Sequence, residues 1–549
     1  MRRLRLATTA LLALIAIAAA VRLGLRAQNW NDELAIRSTL IDPSSPPLDD
    51  AAHVAPPLAI DPHTPRLSRT VLLVIVDGLG ADESHLPFLD ELRARGVAAV
   101  ARVPYPTISR PNYVTLLTGV PPADSGVRAN RVRAPVEVDT AMDRVRAAGL
   151  RVAAASDAGP LASLFVRHAS GVPAGGAGEW RDDGERIAPR PPMTWPVDEA
   201  RHGELADLAR ILPALARAGA AFVPVLVIDV DRAGHASGVG AEYRAAAADV
   251  DRMLRAAVGG LDLTRDTVII TADHGHVAPG GHGGVEPEVS HVPLVIAGAG
   301  VVPGATAPDA RSIDVAPTVA ALLGVPAPAH AEGRALVELL ALSPDAAARR
   351  AAVDRVRGEA LALIADAARS QIARPSLAML ALVALGLAIA VVAGTLLARR
   401  GAIAVPRAAA LGALAVPLML VALGAMTRWR FSPSYVPSLP RVMHVLAIAA
   451  IASVLAQLAA SWLVLRRAPR ADRLAAANGV ALVALTLSLV AVGLARAWYA
   501  PPFLDVPPPF WFVALPALDL GVATSALATA LMLTVATLLP RAQPPPQKC

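Results

Sequence analysis

The sequence predicts an α/β domain, a doubly wound sheet flanked by helices, joined to an α-helical transmembrane domain. The segments VLLVIVDG (Val71 to Gly78), PVLVIDVDRAGH (Pro224 to His235) and TVIITADHG (Thr267 to Gly275) are short apolar runs that end in acidic or imidazole side chains. Runs of this kind form strands buried on both faces of a parallel sheet. Helical patterns lie between or beside them, at Leu86 to Arg95, Thr140 to Ala148, Glu204 to Ala218 and Glu242 to Val258, the alternation of a doubly wound sheet. Beyond Pro375 come five long apolar stretches, Leu377 to Leu397, Ile403 to Met426, Val442 to Leu465, Leu474 to Ala497 and Phe510 to Leu539. Each is near the ~20 residues that span a hydrocarbon core.

At the N-terminus, Met1-Arg2-Arg3-Leu4-Arg5 precedes the apolar run Leu6 to Val21. A positive, then hydrophobic, then polar profile is that of a signal anchor or a cleavable signal peptide, and the small residue Ala27 would permit cleavage. Residues 1–27 are therefore read as this segment, 28–68 as a linker that is Pro-rich from Asp42 to Pro65, and 69–345 as the α/β domain. A helical connector over 346–374, a transmembrane domain of about five helices over 375–540 and a cytoplasmic tail over 541–549 complete the chain. Gly171 to Thr194, rich in Gly, Pro and charge, reads as a surface loop or cap insert.

With a cytoplasmic N-terminus, the arginines at 399, 400 and 407, those at 466, 467 and 473, and the tail with Arg541 and Lys548 all fall inside. That is the positive-inside preference, and it puts the α/β domain on the non-cytoplasmic side of an integral membrane protein. Trp429 with Phe431, Trp498-Tyr499 and Phe510-Trp511-Phe512 would form the outer aromatic belt, with Arg428, Arg430 and Arg441 departing from the charge pattern. Composition agrees: the chain is 54% hydrophobic and only 3% aromatic, with a mean hydropathy of +0.49, too apolar for a soluble protein of several domains. Much of the net charge of +6 sits beside the apolar stretches and is topological, so no nucleic-acid partner is expected. Cys549, the single cysteine, forms no intrachain disulfide and is not placed for prenylation. Asp519 lies inside an apolar stretch, as a functional residue or as a bundle contact.

Six acidic and imidazole residues recur at or just beyond the apolar runs: Asp77, Asp231, His235, Asp273, His274 and His282. The C-terminal edge of an open α/β sheet is where ligands bind. An isolated Asp there commonly caps a helix, and a lone His on a loop is commonly a surface residue; the company of all six points instead to a two-metal centre. Asp231 and His235, four residues apart across Gly234, can converge on one cation, with Asp229 the competing carboxylate. His276 and His291 are alternatives or supporting partners. Asp oxygen and His nitrogen without Cys suit two divalent ions, Zn²⁺ first and Mn²⁺ second, which about 4 Å apart clamp the attacking and leaving oxygens of a displacement. Between the first and second ligands lies Ser109, within Pro106-Thr107-Ile108-Ser109-Arg110-Pro111-Asn112-Tyr113. Its hydroxyl is either an ordinary helix cap or a nucleophile awaiting a metal, and both roles suit a helix N-terminus that favours phosphoryl oxygens.

These segments resemble the alkaline phosphatase superfamily, in particular its type I phosphodiesterase/nucleotide pyrophosphatase branch. Ser109-Arg110-Pro111-Asn112 is similar to that branch's Thr-Phe-Pro-Asn, Thr118-Gly119-Val120-Pro121 to its Thr-Gly-x-x-Pro continuation, Asp231 to His235 to Asp-x-x-Gly-His, and Asp273-His274-Gly275 to Asp-His-Gly. The resemblance runs from about Val71 to Pro328, including Ile313 to Thr318, and implies an alkaline phosphatase-like sheet. It implies that Asp77, Ser109, Asp273 and His274 hold one metal and Asp231, His235 and His282 the other, that Asn112 helps bind the phosphoryl oxygen, and that Ser109 forms a phosphoserine intermediate. The architecture, with Pro106 to Pro111, Gly281-His282-Gly283 and Pro293-Leu294-Val295, also resembles GPI ethanolamine phosphate transferases. That alignment makes Thr107 a rival nucleophile. The sulfatase pattern Ser-x-Pro-x-Arg is met at Ser109 and Pro111 and fails at Tyr113.

The expected function is a membrane-anchored phosphodiesterase or phosphotransferase acting on phosphoesters, lipid-linked ones included, outside the cytoplasm. The alternatives are a phosphoethanolamine-type transferase to a lipid or glycan acceptor, a sulfatase, and a catalytically silent membrane sensor.

Overall fold

The computed structural model describes residues 1–30, 34, 38–41, 65–130, 136, 138–157, 167–168, 179–180, 186–187, 193–194, 197–370, 377–436, 439–499 and 506–538. Most of the expected linker (31–33, 35–37 and 42–64), the tail after 540 and all but the strand residues of the expected 171–194 insert lie outside the described residues. Two compact units result. One comprises Met1–Glu33, Ile372–Phe503 and Pro507–Cys549, and so joins the N-terminal helix α1 (Arg2–Gln28) to the C-terminal helices; the other comprises Leu34–Gln371 with Leu504–Val506.

The second unit is built on β1 (Thr70–Val76), β2 (Val97–Arg102), β3 (Ala153–Ser156), β4 (Glu199–His202), β5 (Phe222–Val227), β6 (Asp266–Thr271) and β7 (His291–Gly298). Their order is β2-β7-β6-β1-β5-β3-β4. The three predicted strands, β6, β1 and β5, are central and parallel. Every residue in them is buried, so helices cover both faces, which is why they carry unbroken Val, Ile and Leu rather than an alternating pattern. β7 alone runs against the rest, paired antiparallel to β6 and β2, so the sheet is mixed, a feature the sequence pattern does not reveal. At its edge, β2 alternates buried and exposed residues because one face meets water.

Helices α2 (Pro87–Arg95), α4 (Ala141–Ala147), α5 (Leu205–Arg217) and α7 (Ala241–Gly259) stand close to their expected places, while α3 (Ser109–Thr118), α6 (Asp229–Ser237) and α8 (Val315–Leu323) join them, α6 in place of the turn expected after the strand. Thr140 starts α4 with a reciprocal capping box to Asp143. The long helix α9 (Pro344–Ser370) lies in the region read as a connector and groups with this unit. Its buried Arg357 donates to Ala331 O and Gly333 O, both at 2.6 Å, and pairs with Asp354 at 2.7 Å.

In the other unit, α10 (Leu377–Arg399), α12 (Leu439–Leu465), α13 (Arg473–Trp498) and α14 (Pro509–Leu538) join α1. Among the described residues, five helices are long and apolar enough to cross a membrane. No residue of α10 is buried although it is almost wholly apolar, a surface that water would penalise and lipid tails would not. The expected span from Ile403 to Met426 is corrected: only α11 (Ala415–Met426) is α-helical, after a turn at Pro406 and a 3-10 segment Ala409–Ala413. Pro406 has no amide hydrogen to continue a helical ladder. At Gly412 an added Cβ would lie 2.6 Å from Val480 Cγ1, so close packing on α13 takes precedence there.

Polar groups tie these helices together. Arg5 donates to Gly401 O at 2.8 Å and Ala471 O at 2.7 Å and pairs with Asp472 at 3.1 Å, gathering the basic turns at one end. Thr9 meets Asn478 Oδ1 at 2.8 Å. Elsewhere Phe431 contacts Phe510, and Tyr499 contacts Trp511, grouping residues of the expected aromatic belt. Asp519, wholly buried, pairs with Arg496, and Arg26 Nε approaches to 4.0 Å. A buried charge stripped of its partner costs about 3–5 kcal/mol. Asp519→Leu is therefore expected to lower the unfolding midpoint in detergent sharply, and the double variant Asp519→Leu/Arg496→Met to recover most of the loss.

Candidate metal centre and nucleophile

β1 and β6 end side by side and deliver Asp77 and Asp273 to one point. Gly78, at φ +78°, turns the chain away immediately. Asp77 Oδ2 accepts from the Tyr113 hydroxyl, and Asp273 Oδ1 accepts from Gly78 N at 3.2 Å. The other oxygens, Asp77 Oδ1 and Asp273 Oδ2, are buried without a hydrogen-bond partner. His274, fully buried, directs Nδ1 at Gly275 O, 3.1 Å away. A neutral ring carries one proton, so this contact leaves the Nε2 lone pair free. Nε2 lies 3.3 Å from each orphaned oxygen and 3.1 Å from Ser109 Oγ.

A second group adjoins the first. Asp231 and His235 sit on α6, so they meet as i and i+4 neighbours on one helical face, not across a glycine turn as their sequence suggests. His282 directs Nδ1 at Thr107 O, 2.9 Å away, and its Nε2 lies 3.1 Å from His235 Nε2 and 3.7 Å from Asp231 Oδ1. His276 completes the cluster with Nε2 at 3.1 Å from the same oxygen. Asp231, His235, His276 and His282 form one group and Asp77, Asp273 and His274 the other, the ligand atoms within each lying within 4.8 Å of one another. The stacked rings of His274 and His282, 3.7 Å between centroids, join the two.

The electrostatics fit cations. Burial first, then Asp273 and Asp231, pushes Asp77 well above the carboxylate range. Burial and Asp231 push Asp273 up to about 8. Burial holds His274 well below its ordinary value and His282 down to about 4. Asp231 is also opposed by burial, but the imidazoles of His276, His282 and His235 outweigh it and hold the carboxyl below its usual range. Buried carboxylates with orphaned oxygens, beside imidazole nitrogens within 3.1–3.7 Å of them, are what divalent ions relieve. The donor set, oxygen and imidazole nitrogen without thiolate, fits zinc or manganese.

Other expected residues fall as follows. Ser109 is the first residue of α3, and the N-cap place goes to Ile108. Thr107 is fully buried, its hydroxyl accepting from Gly283 N and donating to Gly284 O, both at 3.0 Å. Asn112 is fully buried and its amide donates to Pro106 O at 2.8 Å and Ile108 O at 3.0 Å. Those bonds tie down the turn before α3 and leave no donor for a ligand beside Ser109. The residue that sequence inspection passes over is Asn130. Its Oδ1 accepts from Arg110 N at 2.9 Å, so an exposed amide stands beside the first turn of α3; no local pattern marks it. Asp229 pairs with Arg232 at 2.8 Å and lines a separate cavity of about 750 Å³ with Asp157 and Glu204. His291 starts β7 and lines another cavity with Arg102 and Arg311. Neither joins the metal groups.

Residues 71–282 match the family model of type I phosphodiesterase/nucleotide pyrophosphatase. A 2,3-bisphosphoglycerate-independent phosphoglycerate mutase of Roseobacter denitrificans is 28% identical over 262 residues, 45% of this chain and 49% of that protein. Its counterpart from Ruegeria pomeroyi is 28% identical over 169 residues, 30% of this chain and 33% of that protein. The chain thus spans half or less of the curated relatives it matches. Among solved structures, murine ectonucleotide pyrophosphatase/phosphodiesterase 5 overlaps with a TM-score of 0.37 at 15% identity, over 47% of this chain and 96% of that one. Wild-type alkaline phosphatase PafA overlaps with a TM-score of 0.39 at 12% identity, over 50% and 99%. The family match and the motifs of the central strands coincide, and mark residues 71–282 as a type I phosphodiesterase/nucleotide pyrophosphatase domain.

Proposed function

We propose that this protein is a membrane-anchored, two-metal phosphodiesterase or phosphotransferase that acts outside the cytoplasm through a phosphoserine at Ser109. The observation that carries this reading is the Ser109 hydroxyl, 3.1 Å from His274 Nε2 at the first turn of a helix and beside the orphaned oxygens of Asp77 and Asp273. Asp77, Asp273, His274 and Ser109 would hold one divalent ion, and Asp231, His235 and His282 the other, zinc being favoured. Bound there, the metals supply positive charge that lowers the serine pKa and neutralises oxygen charge during displacement.

Ser109 Oγ forms a bond to phosphorus as the bond to the leaving alcohol breaks, and the serine proton ends on that alcohol. Water or a second alcohol then takes the phosphoryl group, the P–Oγ bond breaks, and a proton returns to Ser109. The positive end of α3 faces the phosphoryl oxygens, and the Asn130 amide, oriented by its bond to Arg110 N, supplies a donor. Thr107 holds the His282 loop through its hydroxyl and its carbonyl. Transfer to a lipid or glycan acceptor is the second reading. It is supported by the apolar helices on the same chain and by the partial likeness to phosphoglycerate mutases.

Zinc-loaded, detergent-purified protein is expected to release p-nitrophenol from bis-p-nitrophenyl phosphate in preference to p-nitrophenyl phosphate or p-nitrophenyl sulfate. Ser109→Ala should cost at least about a thousandfold in kcat; surviving turnover would move the nucleophile to Thr107, and a preference for sulfate would replace the substrate class. Asn130→Ala should lower kcat by about a hundredfold with a smaller change in KM. Chelation should abolish turnover, and added zinc or manganese should restore it.

A further inference from the structure

We infer that the cavity of about 500 Å³ at the β2 and β7 end of the sheet is a second anion site, one that holds a phosphate group without reacting with it. Arg102, Arg311, Arg334 and His291 supply the donors for its oxygens. The site lies apart from the metal groups and does not rest on the two-metal reading.

The sheet itself sets these side chains in a row. Arg102, the last residue of β2, pairs directly with His291 of β7 on one side and bridges Arg311 on the other. Residues paired in this way project from the same face as close neighbours, and like charges so placed repel. The alternation along β2 puts Val100 and Arg102 on its exposed face, so the row meets the cavity and not the core. Among the described residues, the side chains of Arg102 and His291 form no hydrogen bond or ion pair, although both line the cavity. Asp309, the one carboxylate in the lining, is exposed and pairs with none of the three arginines. The positive charge of Arg102 is thus left for a ligand to neutralise.

The other two guanidinium groups are fixed in place. Asp314, fully buried, accepts from Arg311 N at 2.9 Å, from Arg311 Nη2 at 3.2 Å and from Arg334 N at 2.9 Å. Glu338 holds Arg334 through two bonds of 2.7 and 2.8 Å. A guanidinium carries five N–H donors, so both arginines keep donors to spare while their positions are set. Two held forks beside a free one suit the oxygens of a phosphate group. The volume is that of a small-molecule pocket, larger than phosphate alone needs, so the group belongs to a phosphate ester. Its distance from the metal groups explains why it is bound and not transferred. Two antiparallel pairings through β7 make β2 parallel to β6, so Arg102 stands at the sheet edge that carries Asp273. With strands about 4.8 Å apart, the pocket lies roughly 10 Å to the side of that edge's metal groups.

The test is phosphate binding by the full-length protein in detergent, with metals chelated so that the pocket is read alone. The probes are inorganic phosphate, glycerol phosphate and detergent micelles that carry phosphatidate. Wild type is expected to bind one equivalent. Arg102→Ala should weaken that binding at least about tenfold and Arg102→Lys by less, both with an unchanged unfolding midpoint because Arg102 is exposed. Tighter binding of glycerol phosphate than of phosphatidate assigns the site to a soluble ester, and the reverse order assigns it to a lipid headgroup. In zinc-loaded protein, Arg102→Ala should leave turnover of bis-p-nitrophenyl phosphate within about twofold of wild type. Chelated wild type that binds none of the probes would overturn the inference, as would Arg102→Ala and Arg102→Ala/Arg311→Ala that bind as tightly as wild type. A loss of turnover in step with the loss of binding would overturn it too, by making the pocket part of the metal centre. Absence of zinc-dependent turnover in wild type would count against the proposed function and not against this site, whose binding is read without metal.

Discussion

Burial of Asp77 and Asp273, side by side at the ends of adjacent parallel strands, is the constraint on which the site depends. Each carboxylate satisfies one oxygen with a neutral donor, the Tyr113 hydroxyl or the Gly78 amide, and leaves the other without a hydrogen bond. Two such groups cannot both hold their charge in a low-dielectric interior without a counterion. The inward lone pair of His274 adds a third donor, not a positive charge, and so sharpens the demand. A divalent cation would meet it, and the Ser109 hydroxyl lies 3.1 Å from the same His274 Nε2.

The second position depends on packing as much as on charge. Asp231 and His235 come from one helix, His276 from the loop after β6 and His282 from the turn behind it. These pieces approach closely because glycine occupies the contact points at Gly78 and Gly234. Backbone carbonyls then set the imidazole tautomers: Gly78 O for His276, Thr107 O for His282 and Gly275 O for His274. Thr107 thus serves the site through the loop that it pins, which explains why a hydroxyl so near Ser109 in sequence is committed elsewhere.

The helical unit obeys a different balance. Apolar side chains stay outermost on α10, while Thr9, Asn478, Gln457, Ser488 and Ser525 are buried and bonded to one another or to backbone. Where water is scarce, such bonds orient helices that apolar packing alone would let slide. The Arg496 and Asp519 pair adds charge to the same logic: each partner is buried and each would be costly alone.

The amino-acid sequence by itself determined the central strands, because residues buried on both faces must be apolar throughout, and it determined that acidic and imidazole groups stand at their C-terminal ends. It also marked the apolar helices, since length and hydropathy are local properties. Only the tertiary structure decided which side chains meet. His276 joined the cluster and His291 did not, although both follow the same strand, because the side-chain direction of a loop residue depends on the carbonyl it finds. The turn before α3 used the Asn112 amide for its own backbone, and Asn130, twenty residues beyond Arg110 in the chain, came to bond Arg110 N. The broken segment before α11 and the reversed strand β7 were hidden for the same reason: hydropathy reports how much apolar surface must be buried, whereas the partner and direction of burial are set by contacts between segments far apart in the chain.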